Sequence, residues 1–67
     1  MFRKRIKDAY KSLTPSFKRL GDFIISHELD VAFMTATELA KALDVDAATV
    51  VRFSQALGYS GYRELSH

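Results

Sequence analysis

The spacing of the apolar residues is the feature of this sequence that most constrains its fold. They recur every three or four residues along almost the whole chain of 67 residues, and no stretch alternates polar and apolar residues as a half-buried strand would. Cysteine is absent, so neither a disulfide framework nor a thiolate metal site can hold so short a chain together. The sequence therefore predicts an all-α fold, a compact bundle of about five short helices stabilised by their packing.

Two helices are predicted in the first half of the chain. The apolar face of the first consists of Phe2, Ile6, Ala9, Tyr10 and Leu13, and that of the second of Phe17, Leu20, Phe23 and Ile24. Thr14-Pro15 marks the boundary, because threonine caps a helix and proline fits its first position. Gly21 lowers helix propensity, which predicts a close packing contact there, and the second helix ends near His27. Residues 28–34 are apolar enough to predict a single helical turn packed beneath its neighbours.

Stronger start and stop signals follow in the second half. Thr35 and Glu38 have the spacing of a capping box, which predicts a third helix over residues 36–43. Asp46 is a weaker cap for a fourth helix over residues 47–57, and Gly58 is placed to end it with a left-handed backbone. Ser60 is a possible cap for a last helix that begins at residue 61 and runs to the chain end at His67.

Two short helices joined by a tight turn make a helix-turn-helix unit, and residues 36–55 have its pattern. The inward positions are Leu39, Ala40, Leu43, Val45, Val50 and Phe53, followed by Leu57 one turn later. Those left pointing outward on the second helix are Ala47, Ala48, Thr49, Val51, Arg52 and Gln55. The pattern therefore predicts a recognition helix over residues 47–57 with a polar face available to a partner.

That face has the chemistry to read a DNA major groove. Arg52 can bind guanine through O6 and N7, Gln55 can bind adenine through N6 and N7, and small residues allow close approach to base edges. Helix N-termini offer backbone N–H groups to phosphates. The predicted DNA-binding residues are Thr35, Thr37, Ala47, Ala48, Thr49, Val51, Arg52, Gln55, Tyr59 and Ser60. An alternative for Arg52 and Gln55 is that they are ordinary solvated surface residues. For Tyr59, the alternative to a DNA-backbone contact is packing within the domain.

Three segments together resemble the N-terminal domain of the RpiR family of bacterial regulators. They are Thr37-Glu38-Leu39-Ala40, the run Asp46 to Phe53, and Leu57-Gly58-Tyr59-Ser60-Gly61-Tyr62-Arg63-Glu64-Leu65, with Leu13-Thr14-Pro15-Ser16 matching the opening of that domain. The resemblance covers residues 5–67, so all of 1–67 is expected to be one such domain. It implies a transcription factor that binds double-stranded DNA, works as a homodimer or larger assembly, and regulates sugar or amino-sugar phosphate genes.

The resemblance also implies a following sugar-isomerase-type domain that binds a sugar phosphate, and the chain is expected to be an N-terminal fragment without it. Two residues depart from the family pattern. Phe17 stands where the family carries Glu, which removes the capping box of the second helix, and Asp44 stands at a turn position usually held by Gly. Asp tolerates a left-handed backbone less well than Gly, so slight strain is expected in the turn.

The distribution of charge and the residue inventory weigh against other functions. Residues 1–20 carry a net charge of +6 and residues 21–67 a net charge of −4, so phosphate contact by the first helix and a merely solvated basic face are both open. The sequence has no apolar run with the length or position typical of a signal peptide or a membrane span, so a cytoplasmic location and no membrane partner are expected. His27 and His67 form no catalytic or metal constellation, hence no enzyme and no cofactor are expected. The alternative is a helical dimerisation or protein-interaction module that docks through Phe2, Ile6, Tyr10 and Leu13.

Overall fold

Six α-helices and one 3₁₀ turn make up the computed structural model, which describes residues 2–66 and, for Phe2, the backbone alone. In chain order they are α1 (Phe2–Ala9), the 3₁₀ turn (Tyr10–Ser12), α2 (Pro15–Ser26), α3 (Glu28–Ala32), α4 (Ala36–Leu43), α5 (Ala47–Ala56) and α6 (Tyr62–Ser66). No strand occurs among these residues, so the all-α prediction is confirmed. None of the described helices is long and apolar enough to cross a membrane. The predicted places of the Phe2 side chain and of His67 lie outside the described residues.

Each of the six helices contributes to one hydrophobic core. Its buried members are Ile6, Leu13, Leu20, Ile24, Val31, Leu39, Ala40, Val50, Phe53, Leu57, Tyr62 and Leu65. Ile6 has no exposed surface and Leu13 retains 9% of its own. These two residues of the first segment are therefore unavailable as a docking face for another protein, which removes the main support for the interaction-module alternative.

Thr14 caps the start of α2, where position 17 has no Glu to complete a capping box. The Phe17 backbone N–H donates to Thr14 Oγ1 over 3.3 Å, so half of a capping box is present, with Pro15 at the first helical position. The Phe17 ring packs edge-on against Phe53, with ring centroids 5.5 Å apart and planes at 77°. The residue that replaces the usual Glu thus adds an aromatic contact to the core.

A short α3 confirms the predicted helical turn but corrects its burial. Val31 is 1% exposed, whereas Leu29 and Phe33 are 82% and 88% exposed. Residues two positions away lie about 200° around a helix, so a single turn that buries Val31 must turn both of these outward. The segment is therefore not packed beneath its neighbours along its whole length.

Tyr62 joins the last helix to α3. Its side chain is 7% exposed, and its hydroxyl lies 3.1 Å from the carbonyl oxygen of Val31 and 3.0 Å from that of Met34. The helix begins one residue later than predicted, because the Gly61 carbonyl accepts the first helical hydrogen bond, from the Leu65 N–H at 3.3 Å. Gly61, rather than Ser60, therefore occupies the capping position of α6.

Gly21 lies where α2 meets α1 and α5. A Cβ atom built on Gly21 would be 2.9 Å from Ile6 Cγ2 and 3.8 Å from Phe53 Cζ. Ile6 and Phe53 are both fully buried, so neither can move away freely. The close contact predicted from the sequence is confirmed, and it lets α1 approach the other two helices.

Replacing Gly21 by Ala should lower the free energy of unfolding, as measured by urea denaturation. Overpacking a core costs about 1–3 kcal/mol, which outweighs the gain of about 1 kcal/mol in helix propensity. The loss should shrink in an Ile6→Leu background, because leucine lacks the β-branched methyl that the new Cβ meets. A Gly21→Ala variant more stable than the wild type would contradict the close contact.

Replacing Tyr62 by Phe should cost about 1–2 kcal/mol at neutral pH, because the Met34 carbonyl loses the hydroxyl that donates to it and the Val31 carbonyl keeps only the Met34 N–H. Burial, and then the charge of Glu38, raise the pKa of Tyr62 above its ordinary value of 10.0. The unfolded chain therefore loses this proton first, so the contribution of Tyr62 is complete below about pH 10 and declines above it.

Chemical denaturation at several pH values tests this sign. Above about pH 10 the free energy of unfolding should fall more steeply for the wild type than for Tyr62→Phe. Tyr10, whose pKa is also raised, by burial and by its hydrogen bond to Asp22, requires a Tyr10→Phe control. Parallel slopes for wild type and Tyr62→Phe would contradict the assignment.

Candidate nucleic-acid interface

The turn between α4 and α5 sets the relation of the two helices. Asp44 has the left-handed backbone expected at this position, with φ 56° and ψ 48°. Its N–H donates to Lys41 O over 3.2 Å, and the Val45 N–H donates to Ala40 O over 2.9 Å. This pair of bonds is a Schellman motif, which satisfies two of the last carbonyls of α4. The inward positions predicted for the unit are all buried or half-buried, so its packing pattern is confirmed.

The start of α5 lacks the side-chain cap that the sequence predicts. Asp46 occupies the capping position, but its carboxylate makes no capping hydrogen bond. The Thr49 N–H, which a capping side chain would bind, instead donates to the Asp46 backbone carbonyl over 2.9 Å. The first turn is therefore closed by the backbone alone, and the prediction of a side-chain cap is wrong.

One stripe of α5 faces solvent along its length. Ala48, Arg52 and Gln55 are exposed and stand at positions i, i+4 and i+7, which fall on one side of a helix. Val50 and Phe53, on the other side, have no exposed surface. The remaining outward residues are half-buried beside the stripe: Ala47, Thr49 and Val51. The helix therefore presents a continuous face with small residues first and the two long polar residues after them.

Weak internal contacts hold the two long polar side chains. Arg52 Nη2 donates to Thr49 Oγ1 over 3.3 Å, and Gln55 Nε2 donates to Ser60 O over 3.4 Å. Both distances are long for hydrogen bonds between exposed groups, so an external acceptor can replace them at small cost. Both side chains are exposed on the stripe and are therefore accessible to a partner.

The N-terminus of α4 lies beside this stripe. The Glu38 N–H donates to Thr35 Oγ1 over 3.1 Å and Glu38 Oε1 accepts from the Thr35 N–H over 2.8 Å, so the predicted capping box is confirmed. The first-turn amides of Ala36 and Thr37 have no acceptor within an α-helix. Thr35 and Val51 line one surface groove of about 480 Å³, which brings the start of α4 next to the recognition helix.

The segment after α5 returns along the same side. Gly58 has φ 96°, and the N–H groups of Gly58 and Tyr59 donate to Gln55 O and Ser54 O over 2.9 and 3.1 Å, a second Schellman motif. Tyr59 is half-buried and packs under Arg5, whose Cζ lies 4.7 Å from the ring centroid. Ser60 is exposed next to Gln55. The packing alternative for Tyr59 is therefore realised in part.

Three arginines make contacts or line surfaces that no local pattern in the sequence predicts. Arg5 Nη1 donates to Leu57 O over 3.0 Å and Arg19 Nη2 donates to Leu43 O over 3.1 Å, across 52 and 24 residues of sequence. Arg63 lines the groove that holds Thr35 and Val51. The first two arginines act at helix C-termini, where positive charge is favourable, and Arg63 adds a cation beside the exposed stripe.

The remaining electrostatic features lie away from this face. Arg3 Nε lies 2.7 Å from Glu28 Oε1. This hydrogen bond lowers the pKa of Glu28, and its effect is larger than that of burial, which raises the pKa. Within residues 2–66 no three His, Asp or Glu side chains come together as they would to hold a metal ion. The geometry available is therefore that of a polar helix face flanked by backbone amides and cations.

Comparison with known proteins gives a family match over almost the whole chain. The family described as the helix-turn-helix domain of the rpiR family matches residues 2–67. An uncharacterized HTH-type transcriptional regulator of Haemophilus influenzae is 38% identical over 60 residues, and one of Caldanaerobacter subterraneus subsp. tengcongensis is 32% identical over 60 residues; each match covers 90% of this chain and 21% of the relative.

The uncharacterized HTH-type transcriptional regulator YfhH of Escherichia coli strain K12 is 33% identical over 61 residues, 91% of this chain and 22% of that protein. The chain thus spans between a fifth and a quarter of the length of these relatives.

Proposed function

Because the chain belongs to the rpiR family of helix-turn-helix domains, we propose that it binds double-stranded DNA sequence-specifically, with α5 in the major groove. The observation that carries the proposal is the exposed stripe formed by Ala48, Arg52 and Gln55. It lies opposite the buried Val50 and Phe53, so α5 can enter a groove without any loss of core packing.

In this proposal the bases are read by the two long side chains of the stripe. The two terminal N–H groups of Arg52 donate to guanine O6 and N7. The Gln55 side-chain carbonyl accepts from adenine N6–H and its amide N–H donates to N7. Each gives up only one long internal contact to do so, at 3.3 and 3.4 Å. Ala47 and Ala48 bring the helix start close to base edges, and their methyl groups can pack on thymine methyls, as Val51 can.

Phosphates are contacted by two segments that lie next to α5. The free first-turn amides of α4, together with the hydroxyls of Thr35 and Thr37, meet one strand, and the Thr49 hydroxyl on α5 is a further phosphate donor. The Thr35 hydroxyl accepts from Glu38 but keeps its own proton to donate. Tyr59 and Ser60 meet the other strand after the recognition helix. These contacts fix the orientation of the helix and carry no sequence information themselves.

The wider role follows from the relatives, which are named as transcriptional regulators. We propose that this chain is the DNA-binding domain of a bacterial, cytoplasmic transcription regulator that acts as a homodimer. Its genes serve sugar or amino-sugar phosphate metabolism, and a sugar phosphate acts as effector by binding a separate domain. The support for this finer role is the family membership alone.

Amide NMR shifts recorded during titration with a generic duplex at low salt test the interface. The largest changes should occur at residues 35–37, 47–55 and 59–61, and they should weaken as salt is added because phosphate contacts release counterions. Changes confined to residues 3–11 would assign DNA binding to the basic first helix instead. No change at any residue, even at low salt, would count against DNA binding by the chain.

Replacing Arg52 by Ala should lower the affinity for a preferred duplex by about 1–3 kcal/mol and relax the preference at one base pair. Competition among duplexes that differ at single positions measures both effects. Arg52→Lys keeps the charge but loses the two-nitrogen contact, so it should also relax that preference. Lys41→Ala, which removes an exposed cation from α4, should leave the preference unchanged. An unaltered preference in Arg52→Ala would exclude the base contact.

A further inference from the structure

Arg5 makes two contacts with the segment that follows the recognition helix. Its Nη1 donates to the Leu57 carbonyl over 3.0 Å, and its guanidinium lies over the Tyr59 ring at 4.7 Å from the centroid. The two contacts flank Gly58 from either side. One side chain of α1 thus holds both ends of the turn that ends α5.

The Leu57 carbonyl needs such a partner. The Schellman motif at the end of α5 uses the carbonyls of Ser54 and Gln55, which accept from Tyr59 and Gly58. The Leu57 carbonyl, just before the left-handed residue, is left without an N–H from that motif. A cationic donor at a helix C-terminus satisfies the carbonyl and also interacts favourably with the helix dipole.

Gly58 makes room for this arginine. Its φ of 96° is one that L side chains rarely adopt, and a Cβ placed on it would lie 2.7 Å from Arg5 Nη1. The absence of a side chain at residue 58 therefore serves the turn and the contact together. The guanidinium consequently lies against the turn, although Arg5 as a whole is exposed.

We propose that Arg5 is a positioning residue for DNA recognition: it fixes residues 58–61 against the end of α5 and so presents Tyr59, Ser60 and Gln55 to DNA. Gln55 is included because its Nε2 is 3.4 Å from the Ser60 carbonyl, so movement of the segment moves this side chain. The effect on DNA rests on the proposed function, whereas the effect on the segment does not. Arg5 acts through its neighbours and does not itself contact a phosphate.

Four variants separate position from charge. Arg5→Met removes the contacts and the charge, and Arg5→Lys retains the charge but cannot keep the planar guanidinium both on Tyr59 and on the Leu57 carbonyl. Lys4→Met is the matched control, since it removes one positive charge from an exposed neighbour on α1. Arg19→Met removes the equivalent bond to Leu43 at the end of α4, far along the chain from residues 58–61. Thermal unfolding first establishes a temperature at which all four are folded.

The first readout uses the DNA-free protein. Amide shifts of Tyr59 and Ser60 should change in Arg5→Met and Arg5→Lys, and should remain at wild-type values in Lys4→Met and Arg19→Met. Unchanged Tyr59 and Ser60 shifts in a folded Arg5→Met would overturn the positioning role, whatever the protein does with DNA.

The second readout is DNA affinity as a function of salt. Both Arg5 variants should bind about tenfold more weakly than the wild type, equal to about 1.4 kcal/mol, with Lys4→Met close to wild type. The log–log salt slope should remain unchanged in Arg5→Met, whereas loss of a direct phosphate contact would reduce it by about 0.9. Full affinity in Arg5→Lys, or the reduced slope in Arg5→Met, would overturn the proposal in favour of charge. A wild type that binds no duplex would contradict the proposed function, and the DNA-free shifts would still decide the positioning role.

Discussion

The way in which two helices end determines most of this structure. Both α4 and α5 close with a left-handed residue, Asp44 and Gly58, and in both the carbonyl just before it accepts a hydrogen bond from an arginine of the first two helices. Since the chain turns sharply at each place, the direction of the following segment depends on a few backbone hydrogen bonds. The first turn aims α5 and the second aims the segment that returns beside it, so the exposed stripe of α5 depends on both.

Phe53 anchors α5 in the core through its contact with α2. Aspartate adopts a backbone φ of 56° at a higher energetic cost than glycine does. At the start of α2, Phe17 has no carboxylate to complete the capping box with Thr14. The same Phe17 ring contacts Phe53 edge-on, an arrangement worth about 0.5–1.5 kcal/mol beyond the area it buries. The Phe17 contact thus stabilises the centre of the core, where α5 is anchored.

Local signals in the sequence predicted the parts of the fold that local hydrogen bonds create. Thr14, the capping pair of Thr35 and Glu38, and Gly58 each act within about four residues, so the bounds of α4 and the end of α5 were predictable from spacing alone. The outward stripe followed from helical periodicity in the same way. The contact of Arg5 with Leu57 spans 52 residues and depends on how α1 packs, which no local pattern encodes.

The arginine contacts also change what the charge distribution means. Residues 1–20 hold a net charge of +6, which taken alone indicates a basic arm for phosphates. Arg3 is paired with Glu28, and Arg5 and Arg19 are bound to helix ends, so three of these cations hold the domain together. Four of the seven cations in this stretch, all of them lysines, lie outside these contacts. The basic segment therefore combines a structural role with a reserve of positive charge that counterion release could use. In the proposed function, a second copy on a neighbouring half-site would add affinity, because it would bind at a high effective concentration.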